Sequence, residues 1–292
     1  MKTMKTFGVL VFATVGLSAI GGWNPRASAG QDKSDPGAVA NSAPAAPSAM
    51  PPTNQLSLDL GNKVTMKIAL IPSGKFMMGS PKDEKGRREN EGPRHEVTIC
   101  KAFYMGLCEV TQEQYEQVMG KNPSHFKESR NPVEQVSWED AVEFCKALSK
   151  KTGKSVSLPT EAQWEYACRA GSKTRFSYGD DNEYAALGDY AWYNKNSEGR
   201  THPAGQKKPN DWGLYDMHGN VWEWCSDWYD KDYYSAKAND RDPQGPGSGT
   251  CRLLRCGSCA CCPLGCRAAM RRGLSPDSKF DYIGFRVSVD MK

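Results

Sequence analysis

The sequence predicts an α+β domain with little regular secondary structure. Three features carry that expectation. Partly alternating apolar stretches of strand length lie between residues 63 and 110. Three segments between Thr111 and Gly171 each open on a helix-capping signature. Beyond Gly171 the helical period vanishes, and roughly 120 residues follow in which Gly, Asn, Asp and Pro are mixed with scattered aromatics. Loops on that scale inside one domain are functional or held by ligands.

Residues 1–29 precede the domain and read as an export signal. Lys2 and Lys5 form a basic start, "FGVLVFATVGLSAIGGW" an apolar run, and Ala27–Ala29 ("ASA") a small-x-small cleavage pattern. The run is too short and too rich in glycine to predict a stable membrane span once the signal is cleaved. The expected location is therefore periplasmic or extracellular. Residues 30–57 are rich in Ala, Pro and Ser and almost free of large apolar residues, which predicts a disordered linker. The domain is expected over 58–292.

Within it, "KVTMKIALIPSG" and "GKFMMGS" read as strands, and "HEVTICKAFYMGLCEV" as another strand pair. The first helix starts at Thr111, with Gln114 three residues on, and ends at Gly120. The second starts at Ser137 with Asp140 three on. It carries the apolar stripe Ala141, Phe144, Cys145 and Leu148. The third starts at Thr160 with Gln163 three on and stops at Gly171. Cys145 and Cys168 fall on apolar helix faces and are expected in the core. The charge run 82–96 reads as a solvated loop.

The formal net charge is +4, and loss of Lys2, Lys5 and Arg26 with the signal lowers it to +1. A near-neutral chain without a basic run argues against nucleic acid as a partner. No P-loop, dinucleotide fingerprint or Ser/His/Asp order occurs. The four histidines lack metal-ligand spacing and read as structural.

"CRLLRCGSCACCPLGC" (251–266) holds six of the 11 cysteines. An odd total in an exported chain leaves at least one thiol free, metal-bound or paired with another molecule. On the residues alone the cluster admits a copper-thiolate site, structural disulfides, another metal or redox role, or plain packing.

Several stretches together resemble the formylglycine-generating enzyme family, also called sulfatase-modifying factor domains. They are "IPSGKFMMGS" (71–80), "EVTQEQYEQVMG" (109–120), "NPVEQVSWEDAVEFC" (131–145), "LPTEAQWEYACRAG" (158–171), "NDWGLYDMHGNVWEWCSDWY" (210–229) and "RAAMRRGLSPDSKFDYIGFRV" (267–287). The resemblance implies a compact, irregular α+β single domain related to C-type lectin folds. It also implies a copper-dependent oxidase that uses O2 to turn a protein cysteine into formylglycine, with an exported sulfatase as partner. Other members of the family are non-catalytic recognition domains or oxidases of small molecules.

Under that resemblance Cys261 and Cys266 match the copper ligands and Ser258 the active-site serine. Soft thiolates suit Cu(I). Cys256 stands where the prototypes have glycine, so the backbone there is expected to need glycine's freedom. Cys259 stands where they have an aromatic, and their insertion after the second cysteine is missing. In "HGNVWEW" the family pattern implies calcium held by Asn220, the Val221 carbonyl and Glu223. Arg267, Arg271 and Arg286 match arginines expected to brace the C-terminal loops through forked hydrogen bonds.

Overall fold

Alternation in the first strands becomes a hairpin in the computed structural model, which describes residues 54–235 and 240–291. β1 (Gln55–Asp59) pairs antiparallel with β2 (Thr65–Ile71) across a turn at Gly61, whose φ of 84° suits glycine. This strand begins inside the stretch expected to be linker. Leu58 is buried there, and pairing with β2 satisfies the backbone of a segment whose composition looked unfoldable. The export signal and the rest of the linker lie outside the described residues.

β3 (Gly74–Met78) and β4 (His95–Ile99) form a separate two-stranded ribbon. β5 (Phe103–Gly106) leaves β4 and joins β2, so 95–110 supplies two strands to two different sheets. The charge run before β4 is not wholly solvated: Glu91 is fully buried, and Glu84 and Glu91 both accept from Arg267. A carboxylate paired by a forked guanidinium can leave water, which a charge count does not register.

α1 (Gln112–Met119), α2 (Trp138–Thr152) and α3 (Glu161–Arg169) start where the caps place them. Thr111, Ser137 and Thr160 each accept from the amide three residues on, and Gln114, Asp140 and Gln163 return the contact. Gly120 and Gly153 close α1 and α2 in the left-handed conformation. α3 ends at Arg169, and its left-handed cap is Ala170 at φ 46°, one residue before the expected Gly171. The stripe Ala141, Phe144, Cys145 and Leu148 is buried as expected, and Cys168 is buried too.

α2 and α3 flank the short β6 (Val156–Ser157). The remainder is loop carrying α4 (Leu187–Tyr190), β7 (Trp222–Trp228), β8 (Arg252–Arg255), β9 (Arg272–Leu274), β10 (Ile283–Gly284) and β11 (Ser288–Asp290). β11 pairs with both β5 and β6 and completes a five-stranded sheet in the order β1-β2-β5-β11-β6. A second sheet runs β10-β7-β8-β9. Among the described residues no helix is long and apolar enough to cross a membrane.

α3 packs against the β3–β4 ribbon and against β7 and β8 of the second sheet, with Gln163 its only residue not buried. Its acids are neutralised in place. Glu161 takes both arms of Arg271, and Glu165 takes Arg255 and Arg169. Arg286 forks onto Glu223 and donates to the carbonyls of Gly106 and Tyr215. The bracing role expected of Arg267, Arg271 and Arg286 is what the contacts show. Arg255 joins them, holding the carbonyls of Ala268, Ala269 and Met270, although no motif singles it out.

Candidate thiol site

The cysteine-rich segment leaves β8 at Cys256 and ends in a 3-10 turn at Pro263–Cys266. Cys256 has a φ of 84°, so the chain does need glycine-like backbone where the prototypes carry glycine. The strain is held by packing and by the thiol, which donates towards the carbonyls of Asp216 and Gly219 at 3.2 Å each. Burial raises this thiol well above its ordinary pKa and keeps it protonated.

The next residues are fastened at short intervals. The Cys259 amide donates to Asn220 O at 2.8 Å, and Ser197 Oγ donates to Cys259 O at 2.6 Å. The Cys261 amide closes a turn on Ser258 O at 2.9 Å, and the Asn194 amide donates to Cys261 O at 3.0 Å. Cys259 is 1% exposed, and burial pushes its thiol to about 12. It fills the position of the expected aromatic as a small packed residue.

Ser258, Cys261 and Cys266 come together. Ser258 Oγ lies 3.3 Å from Cys261 Sγ and is positioned to donate to it. Cys266 is fully buried with Phe176, Leu187, Ala191 and Tyr193, and Cys261 packs against the same cluster. Two glycines make the approach possible. A Cβ on Gly257 would lie 3.0 Å from Cys266 Sγ, and one on Gly265 would lie 3.4 Å from Cys261 Sγ. Burial raises the Cys266 thiol well above its ordinary pKa, and negative charge on Cys261 and Cys262 adds to that.

All 11 cysteines are free thiols in this structure. Only Cys262 is exposed; Cys261 is half-buried. The donor set at Cys261 and Cys266 fits a soft monovalent cation. Two neighbouring sulfurs in apolar surroundings repel when ionised, and a bound cation would offset both the repulsion and the burial.

The residues expected to bind calcium do not fit that ion. Asn220 Oδ1 accepts from the His202 amide at 3.0 Å, and its Nδ2 donates to His202 O at 3.1 Å. Glu223 Oε1 accepts from Arg286, and Oε2 accepts from Arg286 and from Trp164 Nε1 at 2.6 Å. Val221 is buried beside them. Calcium needs six to eight oxygens, and these side-chain oxygens already serve as acceptors for a peptide N–H, an indole and a guanidinium.

Two further groups carry chemistry that sequence reasoning missed. Glu109 and Asp216 are buried near one another, 1% exposed each, and both Glu109 carboxylate oxygens and Asp216 Oδ1 lack a hydrogen-bond partner among the described residues. Burial raises Glu109 well above the carboxylate range, with the neighbouring Asp216 charge adding to that, and raises Asp216 to about 6. The pair borders a cavity of about 490 Å³ through Glu109. The second group is His218, whose Nδ1 lies 2.8 Å from Cys266 O and whose Nε2 faces Ser177. Their partners lie over 40 residues apart in the chain, so no motif spacing marks them.

The chain resembles known proteins over most of the described domain. Formylglycine-generating enzyme from Streptomyces coelicolor is 39% identical over 173 residues, covering 55% of this chain and 53% of that protein. Formylglycine-generating enzyme from Mus musculus is 31% identical over 289 residues, covering 77% and 75%. The chain thus spans about half the length of the first and three quarters of the second. The solved structure of Treponema denticola variable protein 1 matches with a TM-score of 0.72 at 31% identity, covering 81% of this chain and 99% of that one. This likeness agrees with the expected irregular α+β fold. A family model described as the sulfatase-modifying factor enzyme 1-like domain matches residues 60–291, and by that match this chain belongs to the sulfatase-modifying factor family.

Proposed function

We propose that this chain is an exported oxidase that converts a cysteine of a protein substrate, a sulfatase, to formylglycine with copper and O2. The observation that carries the reading is the gathering of Cys261, Cys266 and Ser258 on one tethered segment. The names of the relatives supply the reaction class. Cys261 and Cys266 would hold the metal. Held by two sulfurs, Cu(I) would supply a soft acceptor for a substrate thiolate and reducing power towards O2.

The protein's own groups have distinct tasks in this reading. Cys261 is half-buried, so it forms the face that a substrate thiol can approach. Cys266 lies behind it among Phe176, Leu187 and Tyr193, where water is excluded and stray oxidation of the sulfur is suppressed. Ser258 donates towards Cys261 Sγ, which orients that sulfur on the segment. The buried arginines fix the segment from both ends, so the sulfurs are held before the substrate arrives.

Anaerobic titration with Cu(I) should give one copper per protein, and Cys261→Ser or Cys266→Ser should abolish that stoichiometry. A Cys-x-Pro-x-Arg peptide incubated with the loaded protein and O2 should lose its cysteine sulfur, read by mass. Unchanged copper binding in both serine variants would end the proposal. Tight peptide binding without oxidation would make the protein a recognition domain.

A further inference from the structure

The Cys266 carbonyl is held by a histidine far away in the chain, and the contact pattern fixes that ring's proton. His218 Nε2 accepts from the Ser177 backbone amide at 3.1 Å and lies 2.9 Å from Ser177 Oγ. An amide can only donate, so Nε2 carries no proton. The ring proton therefore sits on Nδ1 and is donated to Cys266 O at 2.8 Å. His218 is 2% exposed and boxed by the rings of Phe176 and Tyr178, both edge-on to it.

Cys266 has its own close fit on the other side. The Arg267 Nε donates to Leu264 O at 3.0 Å inside the same 3-10 turn, and its guanidinium is locked on Glu91. Gly257 lies against the Cys266 sulfur. The turn is thus gripped through Leu264 and through Cys266, where the imidazole holds the carbonyl and the thiol itself donates weakly to Cys262 O at 3.7 Å. A ring that donates to the residue bearing a ligand sulfur sets where that sulfur lies.

We propose that His218 is a positioning residue, fixing the Cys266 thiol beside Cys261 and Ser258 through its Nδ1–H bond to the Cys266 carbonyl. This rests on the reading of Cys261 and Cys266 as the metal-holding pair. It assigns to His218 a role in affinity and order rather than in bond making. Ser177 keeps the tautomer by occupying Nε2.

Two replacements separate positioning from mere packing. In His218→Asn the side-chain amide can occupy the place of Nδ1 and donate to Cys266 O. In His218→Gln it reaches the place of Nε2 and meets Ser177 instead. Cu(I) affinity is measured by competition with a chromogenic Cu(I) chelator, and folding by thermal unfolding. Cys266 exposure is measured, in metal-free protein, as the rate of iodoacetamide labelling mapped by mass. His218→Gln should weaken Cu(I) about 10- to 100-fold and speed Cys266 labelling, while His218→Asn stays within a few-fold of the parent.

Equal behaviour of the two variants, or slower labelling in His218→Gln, would overturn the role. Loss of folding in His218→Gln alone is met by Ser177→Ala, which removes only the hydroxyl contact and should leave labelling and affinity at parent values; a tenfold change in either would count against the assignment. If the parent protein binds no Cu(I), the metal reading fails. The labelling contrast then still decides whether His218 holds Cys266.

Discussion

Gly257→Ala tests the geometry of the thiol pair most directly. The new Cβ would lie 3.0 Å from Cys266 Sγ, 3.0 Å from Gly265 O and 3.1 Å from Cys266 Cα. Only the sulfur can rotate away. The other two atoms are backbone of the 3-10 turn, which His218 and Arg267 grip. Inserting a methyl group where the backbone cannot yield costs about 1–3 kcal/mol. For a domain of this size, 2 kcal/mol in the middle of that range lowers Tm by about 4–8 °C. The sulfur that does yield moves from its place beside Cys261, so Cu(I) affinity falls with stability. The assay pairs thermal unfolding by circular dichroism with Cu(I) competition. Gly247→Ala is the control, since a Cβ there meets nothing within 4 Å. A Gly257→Ala protein that matches the control in both measurements would refute the packing of Cys266 against Gly257.

Other consequences follow from the same contacts. Cys256→Ala keeps the positive φ but leaves the Asp216 and Gly219 carbonyls without the thiol donor, which should cost about 1–2 kcal/mol by denaturant unfolding. Glu223→Gln breaks a buried fork with Arg286 and should cost about 3–5 kcal/mol, equally with and without added calcium. Stability should also fall as pH rises from about 4 to 7, read as Tm in buffers of matched ionic strength. Burial raises Asp227 and Glu134 to about 7 and Asp216 to about 6, so the folded chain keeps protons that the unfolded chain loses near pH 4. The stabilisation is complete below that point and is lost as the pH climbs through the folded values. His218, lowered to about 4, opposes the trend up to its ordinary value near 6.5. Asp227→Asn should flatten the slope by at most about 1.4 kcal/mol per pH unit.

The parts whose causes are local were legible in the amino-acid order alone. A capping box is completed within four residues, so Thr111, Ser137 and Thr160 place three helix starts. The 256–266 spacing brings Ser258, Cys261 and Cys266 onto one segment, and the need for glycine-like backbone at Cys256 follows from a neighbour pattern. Local signals also misled. The calcium expectation at Asn220, Val221 and Glu223 rested on oxygens in a short motif, yet Arg286, 63 residues on, takes the Glu223 carboxylate. The charge run at 82–96 looked solvated until Arg267, 176 residues beyond Glu91, drew that acid inside. Contacts between distant parts of the chain settle which acid meets which arginine, bury Glu109 near Asp216, and set His218 on the Cys266 carbonyl. The physical reason is burial. An ionisable side chain leaves water only when a partner arrives, and in this loop-built fold the partner comes from distant chain.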